Sequence, residues 1–364
     1  MARVVVVGGG YGGASLARQL DADLDVVLVE PKDAFVHSSA ALRAVVDATW
    51  QDRVFFPYDR LLTRGRVVQD WARRVSPRRV TISPFESIDA DYLVLATGTA
   101  YPFPAKFLED ETEVAIARLG RLREALARTE RVLLVGGGPV GLELAGELTA
   151  AFPHLHVTVV DRADDILTVG DYLPELREAV RSQLAERGVE FLTGAPLAYP
   201  PPVDVGIHHP FTVETTTRVP IEAQMWFRCF GARPMTDYLD EDLAAARRPD
   251  GRLRVTELLN VVGQDRVFAI GDITDLPESK RASIAADHAT VVAQNIRDLV
   301  DGRRPTARYT PAPERIVLPL GPNGGAAQVQ RDGGRRVVVG PEETTRIKGA
   351  DLFSTAVAEM FGRV

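Results

Sequence analysis

The sequence is poor in the residues on which several kinds of chemistry depend. Its single cysteine, Cys229, excludes an intrachain disulfide and any CxxC redox pair. That cysteine lies in the apolar run MWFRCFG, where a small buried thiol is expected rather than a nucleophile. The six histidines have no metal-ligand spacing, and His208-His209 in a loop is not a site by itself. No Gly-x-Ser-x-Gly elbow is present. Basic charge is not in excess: the formal net charge is −7, so no global field recruits nucleic acid or anionic lipid. The clusters Arg73, Arg74, Arg78, Arg79 and Arg335, Arg336 read as solvated turns. No apolar run approaches the length that spans a bilayer. Met1-Ala2-Arg3 leads straight into a strand without a secretory leader, and Ala2 stands where N-myristoylation requires glycine. The expected address is cytoplasmic, with peripheral contact at the inner face of the membrane as a further option.

What the sequence does carry is a dinucleotide-binding fingerprint, twice. RVVVVGGGYGG gives Gly8-x-Gly10-x-x-Gly13, and RVLLVGGGPVG gives Gly136-x-Gly138-x-x-Gly141. Each follows a β-branched apolar run and opens a helical segment. Glycines there allow a tight turn, a close approach to a pyrophosphate and close helix–sheet packing, and the helix N-terminus supplies N–H groups and positive dipole. Each unit then ends its second strand on an acid, DVVLVE at Glu30 and HVTVVD at Asp161. A carboxylate there accepts hydrogen bonds from a ribose diol and repels a 2′-phosphate. Arg162 directly follows Asp161 and blurs the choice between NADH and NADPH, with NADH favoured.

At 364 residues, the chain suffices for two domains and an appendage. DYLVLATG (residues 91–98) is an apolar strand feeding a small-residue turn, and MWFRCFG, ending at Gly231, repeats that plan. Residues 78–97 read as a strand pair, 118–129, 174–187 and 283–300 as helices, and RVFAIGD, ending in Gly271-Asp272, as a late buried strand. Beyond Thr310 the tail has hairpin character, with Asn323-Gly324 and Gly333-Gly334 as turns. A last helix carries Leu352, Phe353, Ala356, Val357, Met360 and Phe361 as an apolar stripe. The stripe packs on the body of the protein, or else lines the entrance to a site or touches a membrane or a partner subunit.

Two fingerprints, ATG and AIGD together resemble the pyridine nucleotide–disulfide oxidoreductase fold. KDAFVHSSAALRAVVD, TGTAYPFPAKF, FAIGDITD, LPLGPNGG and TRIKGADLF narrow the resemblance to one subgroup. This is the apoptosis-inducing-factor-like, mitochondrion-associated inducer of death family, also called ferroptosis suppressor proteins. The resemblance implies an α/β chain with two Rossmann-like domains, the second inserted in the first, plus a C-terminal α+β appendage. The implied boundaries are 1–105 with 255–312 for FAD, 106–254 for NAD(P)H, and 313–364 for the appendage. It implies FAD contacts at Gly8, Gly9, Gly10, Tyr11, Gly12, Gly13, Glu30, Arg43, Val67, Thr97, Gly98, Gly271 and Asp272. It implies NAD(P)H contacts at Gly136, Gly138, Pro139, Val140, Gly141, Asp161 and Gly231. Arg43 would offer a cation to the pyrophosphate, the main chain around Val67 would meet the adenine, and Asp272 would accept from cofactor hydroxyls.

The activity implied is transfer of a hydride from NADH or NADPH to FAD, then of two electrons to a quinone-type acceptor, in a monomer or homodimer that binds no nucleic acid. The cofactor carries that chemistry while the protein orients it, and the helix opening near Ala282–Ile284 would stabilise negative charge on reduced flavin. Glu143 points toward the nicotinamide end, or is simply an acid favoured at a helix N-terminus. Lys348 is the candidate for the acceptor side, holding the quinone oxygen or helping its protonation; Lys106, in PFPAKF, matches another family lysine near the domain crossing and is a second catalytic candidate, with solvated lysines as the alternative for both. His37 reads as a packed or hydrogen-bonding histidine. Two rivals stay open: a ferredoxin- or rubredoxin-type reductase, and a non-catalytic nucleotide-binding redox sensor.

Overall fold

The computed structural model describes residues 1–311 and 313–363. Residues 312 and 364, which close two of the expected domains, lie outside the described residues.

The first unit comprises β1 (Arg3–Val7), α1 (Tyr11–Leu20), β2 (Asp25–Val29), α2 (Ser38–Val46), β3 (Arg66–Val68) and β4 (Tyr92–Leu95). After α3 (Thr112–Leu126) come β5 (Arg131–Val135), α4 (Pro139–Ala151), β6 (His156–Val160), α5 (Pro174–Ala185), β7 (Glu190–Leu192) and β8 (Met225–Arg228). The chain then returns through β9 (Val267–Ala269) and α6 (Ala282–Val300). It ends in β10 (Ile316–Pro319), β11 (Gly325–Gln330), β12 (Arg336–Val339) and α7 (Ser354–Met360).

Valine runs make β1 and β2 buried along nearly their whole length, as parallel strands covered on both faces require. Their sheet has the order β9-β4-β1-β2-β3, and the second sheet the order β7-β6-β5-β8. All pairings in both are parallel. Strand order therefore reverses between β1 and β4, and again between β5 and β8. In doubly wound sheets a ligand crevice opens outside the carboxyl ends at such a switch point, and each glycine fingerprint sits at one.

The last sheet is antiparallel, β10-β11-β12, with Asn323-Gly324 and Gly333-Gly334 in its connections. It docks on α4 at Gly146, where a Cβ would overlap the Leu320 backbone. That close approach explains a glycine inside a helix, where it otherwise costs about 1 kcal/mol relative to alanine.

Three elements differ from expectation. The segment before β4 folds into three antiparallel strands, Arg74–Ser76, Arg79–Ser83 and Glu86–Asp89, because Pro77-Arg78 close one turn and Pro84-Phe85 the next. The helix expected over 118–129 starts earlier, at Thr112. The last helix does not include Leu352 and Phe353, which are left-handed at φ 52° and 65°. They follow a single π-turn, Thr345–Gly349, and the Leu352 carbonyl is taken by His37 Nε2 at 2.7 Å. Of the stripe beyond them, Val357 and Phe361 pack inward while Ala356 is exposed: the Phe361 ring lies 4.9 Å from Phe35 and 5.8 Å from both Phe56 and Tyr58. Phe353 remains 46% exposed. Among the described residues, no helix is long and apolar enough to cross a membrane.

Candidate functional site

The two fingerprints form the same cradle. Gly8 and Gly136 adopt φ +103° and +120°, and their amides donate to Val29 O and Val160 O, each at 2.8 Å. A Cβ at Gly13 would overlap the Gly8 carbonyl, and one at Gly141 the Gly136 carbonyl; only glycine lets helix and turn meet this closely. Gly9 N donates to Glu30 Oε2, and Gly137 N to Asp161 Oδ2, both at 2.6 Å. The acids predicted to hold ribose thus also brace their own glycine loops. A Cβ built at Gly10 or Gly138 meets nothing within 4 Å, and the same holds at Gly98 and Gly231 across each switch point. Open space, free helix N-termini and a carboxylate at the strand end fit a dinucleotide in each unit. Burial pushes the Glu30 carboxyl up, opposed by the Gly9 and Lys32 amides. Tyr58 walls the first cradle, donating to Gly9 O at 2.9 Å.

The late acid closes the first cradle. Asp272 follows Gly271, left-handed at φ +72°, and its Oδ2 accepts from Thr99 Oγ1 at 3.0 Å. Lys106 Nζ lies 3.7 Å from the same oxygen and donates to the Thr99 carbonyl at 2.7 Å. Burial pushes Lys106 down, opposed by Asp272. Thr97 Oγ1 donates to Met235 O at 2.5 Å, which ties this turn to the inserted unit. Val67 lies in β3, at the sheet edge beside β2.

A charge cluster lies where α2, α4 and the C-terminal segment meet. Lys348 Nζ pairs with Glu143 Oε1 at 2.7 Å, with both side chains largely buried. One turn along α4, Glu147 Oε2 pairs with Arg43 Nε at 2.6 Å, at 5% and 6% side-chain exposure. Arg43 also donates to Gly349 O at 3.3 Å and lies over the Trp50 ring at 5.0 Å. Burial pushes the Glu147 carboxyl up, and Arg43 opposes this. His37, just before α2, spans Tyr11 and the C-terminal segment: Nδ1 is 2.8 Å from Tyr11 OH. Burial lowers it to about 4 and pushes the Tyr11 hydroxyl up to about 12.

Of the predicted residues, the structure therefore brings together Glu143 with Lys348, and Asp272 with Lys106. It does not bring Lys106 to the Glu143–Lys348 pair. Arg43, expected beside a pyrophosphate, has its Nε committed to Glu147, because an unpaired guanidinium at this depth would be costly. Cys229 is buried behind Gly136 and Gly141, and burial pushes its thiol up to about 12.

The family model for pyridine nucleotide-disulphide oxidoreductases matches residues 2–289. The chain belongs to this family. Its curated relatives include ferroptosis suppressor protein 1 of Taeniopygia guttata, 31% identical over 96% of this chain and 93% of the relative. The human ferroptosis suppressor protein 1 is 30% identical, over 90% and 88%. Apoptosis-inducing factor homolog B of Dictyostelium discoideum is 28% identical, over 96% and 94%. Among solved structures, the sulfide:quinone oxidoreductase of Aquifex aeolicus superposes with a TM-score of 0.75, at 16% identity, over 100% of this chain and 92% of its own. A water-forming NADH oxidase of Lactobacillus brevis gives 0.69, at 18%, over 90% and 75%. The fold is thus that of FAD- and pyridine-nucleotide-binding oxidoreductases, and the chain is an FAD-dependent NAD(P)H oxidoreductase.

Sequence reasoning missed Glu147, Tyr58 and Thr99. Glu147 had a signal: in GLELAGELTAA it is an acid inside an otherwise apolar helix, one turn after Glu143. Tyr58 and Thr99 had none, since each matters only through a contact distant in sequence.

Proposed function

We propose that the chain passes two electrons from NADH, in preference to NADPH, to a quinone-type small molecule. FAD, when bound, supplies the relay that accepts a hydride from the nicotinamide and hands the electrons on. The first cradle holds it through the Gly8–Gly13 loop, Glu30 and Asp272, with Lys106 orienting that last carboxylate. The second cradle receives the pyridine nucleotide. Asp161 accepts there from an adenosine ribose diol and repels a 2′-phosphate.

The observation that carries the acceptor reading is the Glu143–Lys348 pair. It joins the first turns of the nicotinamide-side helix to the C-terminal segment. Lys348 offers a hydrogen-bond donor to a quinone carbonyl oxygen, and Glu143 holds its Nζ in place at 2.7 Å. With Cys229 buried and its thiol pushed up, no thiol relay competes for the electrons. Exposed Phe353, five residues on, would form part of the acceptor entrance.

The test is anaerobic NADH oxidation by the holoenzyme with a soluble benzoquinone, for wild type and K348A. The account expects wild type to depend on the quinone. It expects K348A to lose at least about tenfold in quinone kcat/KM, the worth of one charge-assisted contact, while retaining FAD and its reduction by NADH. Equal quinone reduction by the two proteins would refute the role of Lys348.

A further inference from the structure

Behind the turn that carries Asp272, a polar chain with a buried centre runs through four residues. The Gly271 N–H donates to His288 Nδ1 at 3.0 Å, so this nitrogen bears no proton. The ring proton is therefore on Nε2, which donates to Glu278 Oε1 at 3.0 Å. The other oxygen of Glu278 accepts from Tyr309 OH at 2.5 Å, and the Tyr309 ring meets His288 edge-on, with centroids 4.2 Å apart. The side chains of His288 and Glu278 are 0% and 1% exposed. Three segments are linked in this way: α6, the loop before it and the segment after it.

This chain ends at a backbone group with a special need. Amides alternate sides along an extended strand: Ile270 N donates to Leu95 O of β4, so the next amide, that of Gly271, faces away from the sheet ladder, and a donor left there without an acceptor is costly. In IAADHATVV, His288 is the one ring nitrogen on an otherwise apolar buried face; packing alone would be served by leucine. Glu278 fixes which nitrogen accepts, because a carboxylate demands the proton on Nε2. Tyr309 in turn holds Glu278.

We infer that His288 is a positioning residue for the flavin. As a neutral imidazole locked in one tautomer by Glu278 and Tyr309, it fixes the Gly271 turn and thereby presents Asp272 to the cofactor. The inference rests on the reading of Asp272 as an FAD contact.

The test is the rate at which purified holoenzyme releases FAD after dilution, followed as free-flavin fluorescence, in D272A, H288A, H288N and Y309F. Asparagine carries an acceptor oxygen where Nδ1 stood, and Y309F removes one hydroxyl at the far end of the chain. The expected result is release at least about tenfold faster in D272A and H288A, within about threefold of wild type in H288N, and intermediate in Y309F. A purely packing role predicts that H288A and H288N behave alike; that result overturns the inference. So does wild-type release in H288A alongside fast release in D272A. If H288A fails to fold, wild-type release in Y309F overturns the relay. Wild-type release in D272A would instead remove the reading of Asp272 on which the inference stands.

Discussion

Mild acid should weaken this protein through His37. The Leu352 carbonyl can only accept, so the bond at 2.7 Å places the ring proton on Nε2, and Nδ1 accepts from Tyr11 OH at 2.8 Å. A second proton, on Nδ1, would face the hydroxyl hydrogen of Tyr11 inside a site 1% exposed. Burial accordingly lowers the imidazole from 6.5 to about 4. The folded state takes up the proton less readily than the unfolded chain. Stability from this residue is then complete above pH 6.5 and is lost as pH falls toward 4. A shift of this size corresponds to on the order of 3 kcal/mol, most of it gone by about pH 4.5. Urea unfolding of the holoprotein at fixed FAD, from about pH 7.5 to 4.5, against H37Q isolates the effect, since glutamine keeps an amide donor without a titrating group and the carboxylates common to both proteins cancel. The two stability profiles should converge by about that amount as pH falls. Parallel profiles would refute the reasoning.

Other consequences follow from the same geometry. Replacing Glu147 by leucine strands the Arg43 guanidinium and should cost about 3–5 kcal/mol in urea unfolding, whereas R43M/E147L should recover most of it. G13A should yield protein without flavin, because the Cβ overlaps the Gly8 carbonyl. G141A should instead stay yellow but resist reduction by NADH; absorbance before and after NADH separates the two. Cys229 should not react with an aromatic disulfide reagent until the protein is unfolded, its thiol being buried and pushed up to about 12.

Much of this architecture is legible in the sequence because its signals are local. The valine runs, the two glycine fingerprints and the acids at Glu30 and Asp161 each span a few residues, and each maps onto one strand–turn–helix unit. What is not legible depends on pairing across the chain. Arg43 looks like a free cation until Glu147, on a helix of the other nucleotide unit, is brought to 2.6 Å. Lys106 reads in the sequence as a lysine near the domain crossing, and its contacts with Thr99 and Asp272 show only in the fold. The break at Leu352–Phe353 is hidden because the apolar spacing there satisfies a helix; a distant histidine takes the carbonyl instead. His288 reads as an ordinary helix residue, and only the fold shows which backbone amide it serves.

On the function proposed, one chain holds two nucleotides, and electrons run from the second cradle to the first and out to a quinone. The most direct test is the flavin spectrum of the purified protein mixed anaerobically with NADH, then separately with NADPH, followed by a quinone. Rapid bleaching is expected, faster with NADH because of Asp161, with recovery of the yellow form when the quinone is added. A yellow protein that neither nucleotide bleaches, or a bleached one that no quinone restores, would contradict it.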